Sequence, residues 1–282
     1  MGRNLDISSQ WQVAGVSAIG TWHQKAGVEC QDTWAFSQTV HPASLEVVTA
    51  ACVSDGAGSV GKAFAGARLT AYAVSNWLHE HFPSALMLSQ DQIGQSCLAK
   101  VKRLVRRAAT RAGCSPDEYA ATVAAVCVGS DGAWLALHLG DGGIIGKFGN
   151  RVLVVSPPEK GEFANESWFV TSSDALEHLR IYGSPFNPKL CKPTGFVIFS
   201  DGIESSLLDR RNATVAQAAS IMLGWLRGHS PAGVSRALEQ NINTVFREHS
   251  YDDCTIVLMA RPGENNTSEG CENHDTNDEA KL

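Results

Sequence analysis

Short apolar runs separated by polar breaks occupy most of this chain, and their spacing predicts its elements. Strands are expected over 11–19 (WQVAGVSAI), 33–38, 45–53 (LEVVTAACV), 122–129 and 133–140. Further strands are expected over 144–148, 151–155, 195–200 (GFVIFS) and 254–260 (CTIVLMA). Pieces such as GSDG (129–132) and FGN (148–150) are short enough to be hairpin turns, which predicts a meander of antiparallel pairs in the middle of the chain. Val60, Phe64, Ala67, Ala71, Val74 and Leu78 step by three and four residues, the signature of a helix with one apolar face. Ile93, Cys97, Val101, Leu104 and Ala108 repeat it, and Val234, Leu238, Ile242 and Val245 mark a third helix over about 232–246. Strands, then two helices, then strands, helices and a last strand do not form the strict alternation of a parallel sheet. The pattern predicts an α+β fold, a four-layer α-β-β-α sandwich with two central antiparallel sheets.

Two stretches break the pattern. Residues 156–193 have weak periodicity and several prolines, and are expected to form an irregular, flap-like excursion. Residues 263–282 are acidic and almost devoid of apolar side chains, which predicts a disordered tail after a single domain over 1–262. The basic run KVKRLVRRAATR (100–111) reads as the solvated face of the second helix, because Val101, Leu104 and Ala108 already supply its buried stripe.

Composition narrows the function classes. A chain of 282 residues with 44% hydrophobic and 18% charged positions suits a large globular core. A net charge of −6 is the wrong sign for a nucleic-acid binder. No apolar run approaches the roughly 18 residues of a membrane span. The N-terminus, MGRNLDISSQW, lacks a signal peptide's apolar core, and Asp6 breaks the myristoylation pattern. None of the eight cysteines forms a CxxC pair, and Cys52, Cys127 and Cys254 lie in apolar runs. Buried free thiols in a cytoplasmic protein are the expectation.

The candidate chemistry lies at strand ends. Asp55 follows LEVVTAACVS, Asp141 follows AWLALHLG, Asp201 follows GFVIFS, and Asp252 stands just before CTIVLMA; Asp32 precedes the strand at 33–38. Each alone is explained by a turn, since Asp-Gly is a common turn dipeptide. If the strands lie side by side, however, these carboxylates converge and repel unless cations neutralise them. Oxygen donors without His or Cys suit hard ions such as Mg²⁺ or Mn²⁺. DGAGS (55–59) lacks the GK[ST] of a P-loop, and no GxGxxG follows the strand.

The motifs QD (31–32), SDGAGS (54–59), LGDGG (139–143), FSDGIES (199–205) and YDDCT (251–255) occur in one order. In that order they resemble the metal-dependent phosphatases of the protein phosphatase 2C family, bacterial branch. GTWHQKAGVECQDTWAF (20–36) and GEFANESWF (161–169) are similar to that branch too, and the resemblance runs from about Trp11 to Ala260. It implies two divalent metal ions, Mn or Mg, with a third, weaker site. Asp55 would bridge the two ions, Gly56 would bind one through its carbonyl, and Asp201 and Asp252 would each bind one. Asp32 would reach a metal through water, and Asp141 would serve the third site. Asp253 occupies the family's Asp/Asn place in D-D/N-x-T/S.

The chain departs from the family in two functional places. Ala57 stands where many eukaryotic members have a histidine, and the family arginine that binds substrate phosphate is missing from KAGVECQD, leaving His23 and Lys25 as phosphate-binding candidates. The activity implied is hydrolysis of phosphoserine and phosphothreonine on proteins that are substrates of a Ser/Thr kinase. Asp55, Asp201 and Asp252 are the catalytic set, with no nucleic-acid or membrane partner. A catalytically weak sensor acting through a partner, and a small-molecule phosphoester hydrolase, are the alternatives.

Overall fold

The computed structural model describes residues 10–41, 46–159, 167–209, 214–248 and 250–261. The chain begins with β1 (Gln12–Ala18), α1 (Thr21–Ala26), β2 (Asp32–Val40) and β3 (Val47–Asp55), followed by the long helices α2 (Ala63–Ala85) and α3 (Gln90–Ala112). Next come β4 (Val123–Gly129), β5 (Trp134–Leu139), β6 (Gly143–Phe148) and β7 (Arg151–Ser156). A short helix α4 (Ala175–His178) leads into β8 (Arg180–Gly183) and β9 (Pro193–Phe199). The last part is α5 (Asp201–Leu207), a minimal hairpin of β10 (Leu208–Asp209) and β11 (Thr214–Val215), α6 (Gln217–Gly228), α7 (Pro231–Thr244) and β12 (Cys254–Ala260).

Two five-stranded antiparallel sheets, β1-β12-β9-β6-β7 and β2-β3-β4-β5-β8, pack face to face. Val53, Val126, Trp134, Phe196, Ile198 and Met259 fill the space between them, and the rings of Trp134, Phe148 and Phe196 meet at centroid distances of 5.5 to 6.0 Å. The outer face of the second sheet is covered by α2 and α3 through Val48, Cys52, Trp77, Leu78, Val101 and Leu137. The outer face of the first is covered by α6 and α7 through Val197, Phe199, Leu223, Leu238, Ile242 and Leu258. These three apolar layers define the four-layer α+β sandwich. Strands β4 and β12 are buried along their whole length, so they read as unbroken apolar runs rather than alternating ones.

The expected hairpins β4–β5 and β6–β7 exist, but they do not form one meander. After Leu139 the chain leaves one sheet and enters the other at Gly143, so Asp141 sits in the crossing between them. Helix α3 starts where Ser89 and Gln92 form a reciprocal capping box and stops at Gly113 (φ +68°), in the left-handed region that glycine tolerates.

Three expectations are corrected. The described part of the 156–193 excursion is structured, because β8 closes the edge of the second sheet against β5, and Trp168 stacks on His178 at 3.5 Å. Helix α6 was not predicted, although Ala219, Met222, Leu223 and Leu226 form a buried stripe on it. Free thiols occur at Cys30, Cys52, Cys97, Cys114, Cys127 and Cys254, but Cys191, half-buried in the approach to β9 rather than within a strand, is disulfide-bonded. The expected acidic tail at 263–282 and residues 160–166 of the expected excursion lie outside the described residues. Among the described residues, no helix is long and apolar enough to cross a membrane.

Candidate functional site

The site forms where strands from both sheets end. Asp32 opens β2 and Asp55 closes β3, and the antiparallel register sets them opposite each other. Asp201 is the first residue of α5, separated from β9 by Ser200 alone, and Asp141 lies in the crossing between the sheets. Loss of solvation, and then the charges of Asp32, Asp201 and Asp141, push the Asp55 carboxyl well above the usual carboxylate range. Three of the acids predicted from sequence are thus within electrostatic reach of a fourth, Asp55.

Asp32 is the most enclosed of them, at 2% exposure. Burial pushes its carboxyl up to about 7, opposed by hydrogen bonds from Ser200, Asp55 and Thr255 and reinforced by the charge of Asp253. The Ser200 hydroxyl donates to Asp32 Oδ2 at 2.5 Å and accepts from the backbone N–H of Thr255 at 2.9 Å. The Thr255 hydroxyl, itself bonded to Asp32, lies 2.7 Å from that of Ser17, so a chain of hydroxyls runs behind Asp32 into the first sheet. On the other side the Thr122 hydroxyl accepts from the N–H of Asp55 at 3.0 Å, and the N–H of Thr122 donates to the carbonyl of Asp55 at 2.8 Å. Ser54 donates to the Thr122 carbonyl at 2.6 Å, which ties β3 to the start of β4.

The adjacent acids Asp252 and Asp253 part company. Asp253 turns inward (2% exposed), where Oδ1 accepts from the N–H of Gly20 at 2.6 Å and Oδ2 accepts from the N–H of Gln31, also at 2.6 Å. His23 Nδ1 lies 2.9 Å from the same Oδ2. One carboxylate therefore gathers both ends of the 20–31 segment and fixes where Asp32 begins β2. Asp252 is exposed, and its Oδ1 accepts from the N–H of Asp253 at 2.9 Å.

His23 and Lys25, the candidates for phosphate contact, both lie on α1 rather than in a loop. Lys25 is exposed, whereas His23 is buried and faces Asp253.

Two glycines are required by close approach. A methyl group on Gly56 would lie 2.3 Å from the carbonyl oxygen of Ala63, and one on Gly202 would lie 2.0 Å from that of Asp253. Gly56 lets the start of α2 pack directly on the Asp55 loop, and Gly202 lets α5 press against the backbone that carries Asp252 and Asp253.

Sequence reasoning missed Asp253, Ser200 and Thr255 as the residues that hold the acids in place. Their signal was present, as hydroxyls and a second acid adjoining the strand-end aspartates. Their partners, 55 to 233 residues away in the chain, were not legible.

Oxygen donors that raise one another's proton affinity form the donor chemistry that a hard divalent cation relieves. Among the described residues, no group of three or more His, Cys, Asp or Glu stands as a preformed metal-ligand set.

Comparison with known proteins gives a consistent result. A family model described as Protein phosphatase 2C matches residues 19–243. The chain is 24% identical over 199 residues to Serine/threonine-protein phosphatase 3 of Escherichia coli (strain K12), covering 71% of this chain and 76% of that one. The fold resembles that of the S. agalactiae serine/threonine phosphatase (TM-score 0.58, 13% identity, 89% of this chain and all of that one). It also resembles RsbX in complex with magnesium (TM-score 0.53, 13% identity, 89% and 95% covered).

Proposed function

The chain belongs to the protein phosphatase 2C family and is a phosphoprotein phosphatase; on that premise we propose that it hydrolyses phosphoserine and phosphothreonine in proteins phosphorylated by a Ser/Thr kinase, at a centre of two Mg²⁺ or Mn²⁺ ions. The observation that carries this reading is the convergence of Asp32, Asp55, Asp141 and Asp201 on one end of the sandwich, in the family's motif order. Residues 1–262 are taken to act as one phosphatase domain.

In this reading Asp55, the carbonyl of Gly56, Asp201 and Asp252 would hold the two ions, Asp32 would support one of them through water, and Asp141 would serve a third, weaker site. Bound divalent cations supply the Lewis acidity that activates water toward phosphorus and offset the charge that builds on the phosphoryl oxygens. The protein's own part is positional. Ser200 and Thr255 orient Asp32, Thr122 fixes the backbone of Asp55, and Asp253 anchors the segment that leads into β2. Exposed Lys25 is assigned to the substrate phosphate, and His23 to supporting α1 through Asp253. A nucleophilic side chain is not needed. Burial also raises the thiols of Cys52, Cys97 and Cys127, which leaves them poorly nucleophilic.

The test is Mn²⁺-dependent turnover of a phosphothreonine peptide, with Mn²⁺ binding followed by calorimetry, for wild type, Asp55→Asn and Asp201→Asn. Both variants should lose on the order of 10²-fold or more in turnover and bind the ion more weakly. Near-normal turnover by Asp55→Asn would sink the assignment, and metal binding without turnover by wild type would favour a sensor.

A further inference from the structure

Beside the site lies a groove of about 620 Å³ that the proposed chemistry does not use. One wall is β2, through Thr33, Trp34 and Ala35; the other is α2, through Phe64, Arg68 and Tyr72. Both walls start at the site. Thr33 follows Asp32, and the start of α2 packs on Gly56. They also run the same way, since the Thr39 hydroxyl meets His79 Nε2 at 2.9 Å. Six residues of strand and fifteen of helix separate these contacts from Thr33 and Phe64, which is about 20 Å and about 22 Å of rise respectively.

Three properties of the groove are unusual for an uncommitted surface. β2 is the terminal strand of its sheet, and among the described residues no strand pairs with its outer edge. An open edge of nine residues is a template for another extended chain. A large aromatic side chain stays in water along it, Tyr72 at 65% exposure, on the same wall as Phe64. Arg68 is exposed and faces no carboxylate within ion-pair distance among the described residues.

We infer that this groove binds the polypeptide flanking the phosphorylated residue, as an extended strand added to the edge of β2, with an acidic side chain opposite Arg68. The inference rests on the phosphatase reading for its substrate class. Edge amides bind a main chain of any sequence, the aromatic wall accepts apolar side chains, and the lone guanidinium selects charge. Arg68 lies five residues into α2, about 7.5 Å along the helix from Ala63. At about 3.3 Å per extended residue, that distance places the acidic position roughly two to four residues from the phosphoresidue.

The experiment uses fluorescein-labelled phosphothreonine peptides carrying Asp or Lys two to four residues to either side, titrated by anisotropy with wild type and Arg68→Glu. Turnover of para-nitrophenyl phosphate is followed in parallel. Wild type should bind the best Asp peptide roughly fivefold more tightly than its Lys counterpart, the range of an exposed ion pair. Arg68→Glu should invert that preference and leave para-nitrophenyl phosphate turnover unchanged. N-methylation of alternate peptide amides should weaken binding to wild type by a similar factor on one set of positions only. A charge preference unaltered in Arg68→Glu, or affinity indifferent to N-methylation, overturns the groove assignment. Inverted preference with no turnover of para-nitrophenyl phosphate or peptide by wild type keeps the groove and removes the hydrolase reading.

Discussion

Replacing Asp253 by Asn tests whether the buried carboxylate acts as an anchor. The change removes one charge and almost no volume, so packing is preserved. The carboxylate accepts two backbone N–H bonds at 2.6 Å and faces His23 Nδ1 at 2.9 Å, all within a site only 2% exposed. A carboxamide has one accepting oxygen and an NH₂ that only donates. With its oxygen placed toward Gln31 and His23, its NH₂ points at the N–H of Gly20. One charge-assisted bond is then lost, worth about 1.5–3 kcal/mol, and a buried donor is left unpaired, costing about 1–3 kcal/mol more. The sum, about 2.5–6 kcal/mol, corresponds to a fall of roughly 5–24 °C in melting temperature at about 2–4 °C per kcal/mol. The assay is urea unfolding followed by tryptophan fluorescence, with a thermal melt beside it. Because the Asn place is permitted by the family pattern D-D/N-x-T/S, the loss is a property of this chain's three-donor arrangement. A variant within about 1 kcal/mol of wild type, the worth of an ordinary neutral hydrogen bond, would refute the reasoning.

Two further outcomes follow from packing and burial. Gly56→Ala should cost about 1–3 kcal/mol and weaken Mg²⁺ binding, because its methyl group would meet the backbone of Ala63. Gly58→Ala, whose methyl would approach only the Gln31 side chain at 3.4 Å, should behave as wild type; equal melting temperatures for the two variants, with and without Mg²⁺, would contradict this. His138 is buried, with Nδ1 2.7 Å from Ser156 Oγ and 3.0 Å from the Arg180 guanidinium, and that guanidinium is paired with Glu159 at 3.2 Å. Burial first, and the Arg180 charge second, hold the His138 ring well below the usual histidine range. The unfolded chain therefore takes up a proton below about pH 6.5 that the folded ring refuses. The stabilising effect is full above that pH and is lost as pH falls, by at most about 1.4 kcal/mol per unit. Urea unfolding at pH 7.5 and 5 should show wild type losing more stability than His138→Gln; parallel losses would count against it.

The sequence by itself determined the elements and the ends of the site, because both are local properties. An apolar run must be buried wherever it goes, and Asp55, Asp141, Asp201 and Asp252 had to fall where such runs stop or start. It also determined the order of motifs that places the chain in its family. Only the tertiary structure decided which strands share a sheet. The crossing at Asp141 looks like one more hairpin turn until β6 is seen to pair with β9 rather than with β5. Asp252 and Asp253 are equal as letters. One becomes a buried anchor because Gly20 and Gln31 arrive from more than 220 residues away with their N–H groups aimed at it. Ser200 meets Asp32 across 168 residues for the same reason. Hydrophobic period is encoded within a few residues, whereas register and partner choice depend on how distant strands align, and a one-residue shift would turn every side chain to the other face.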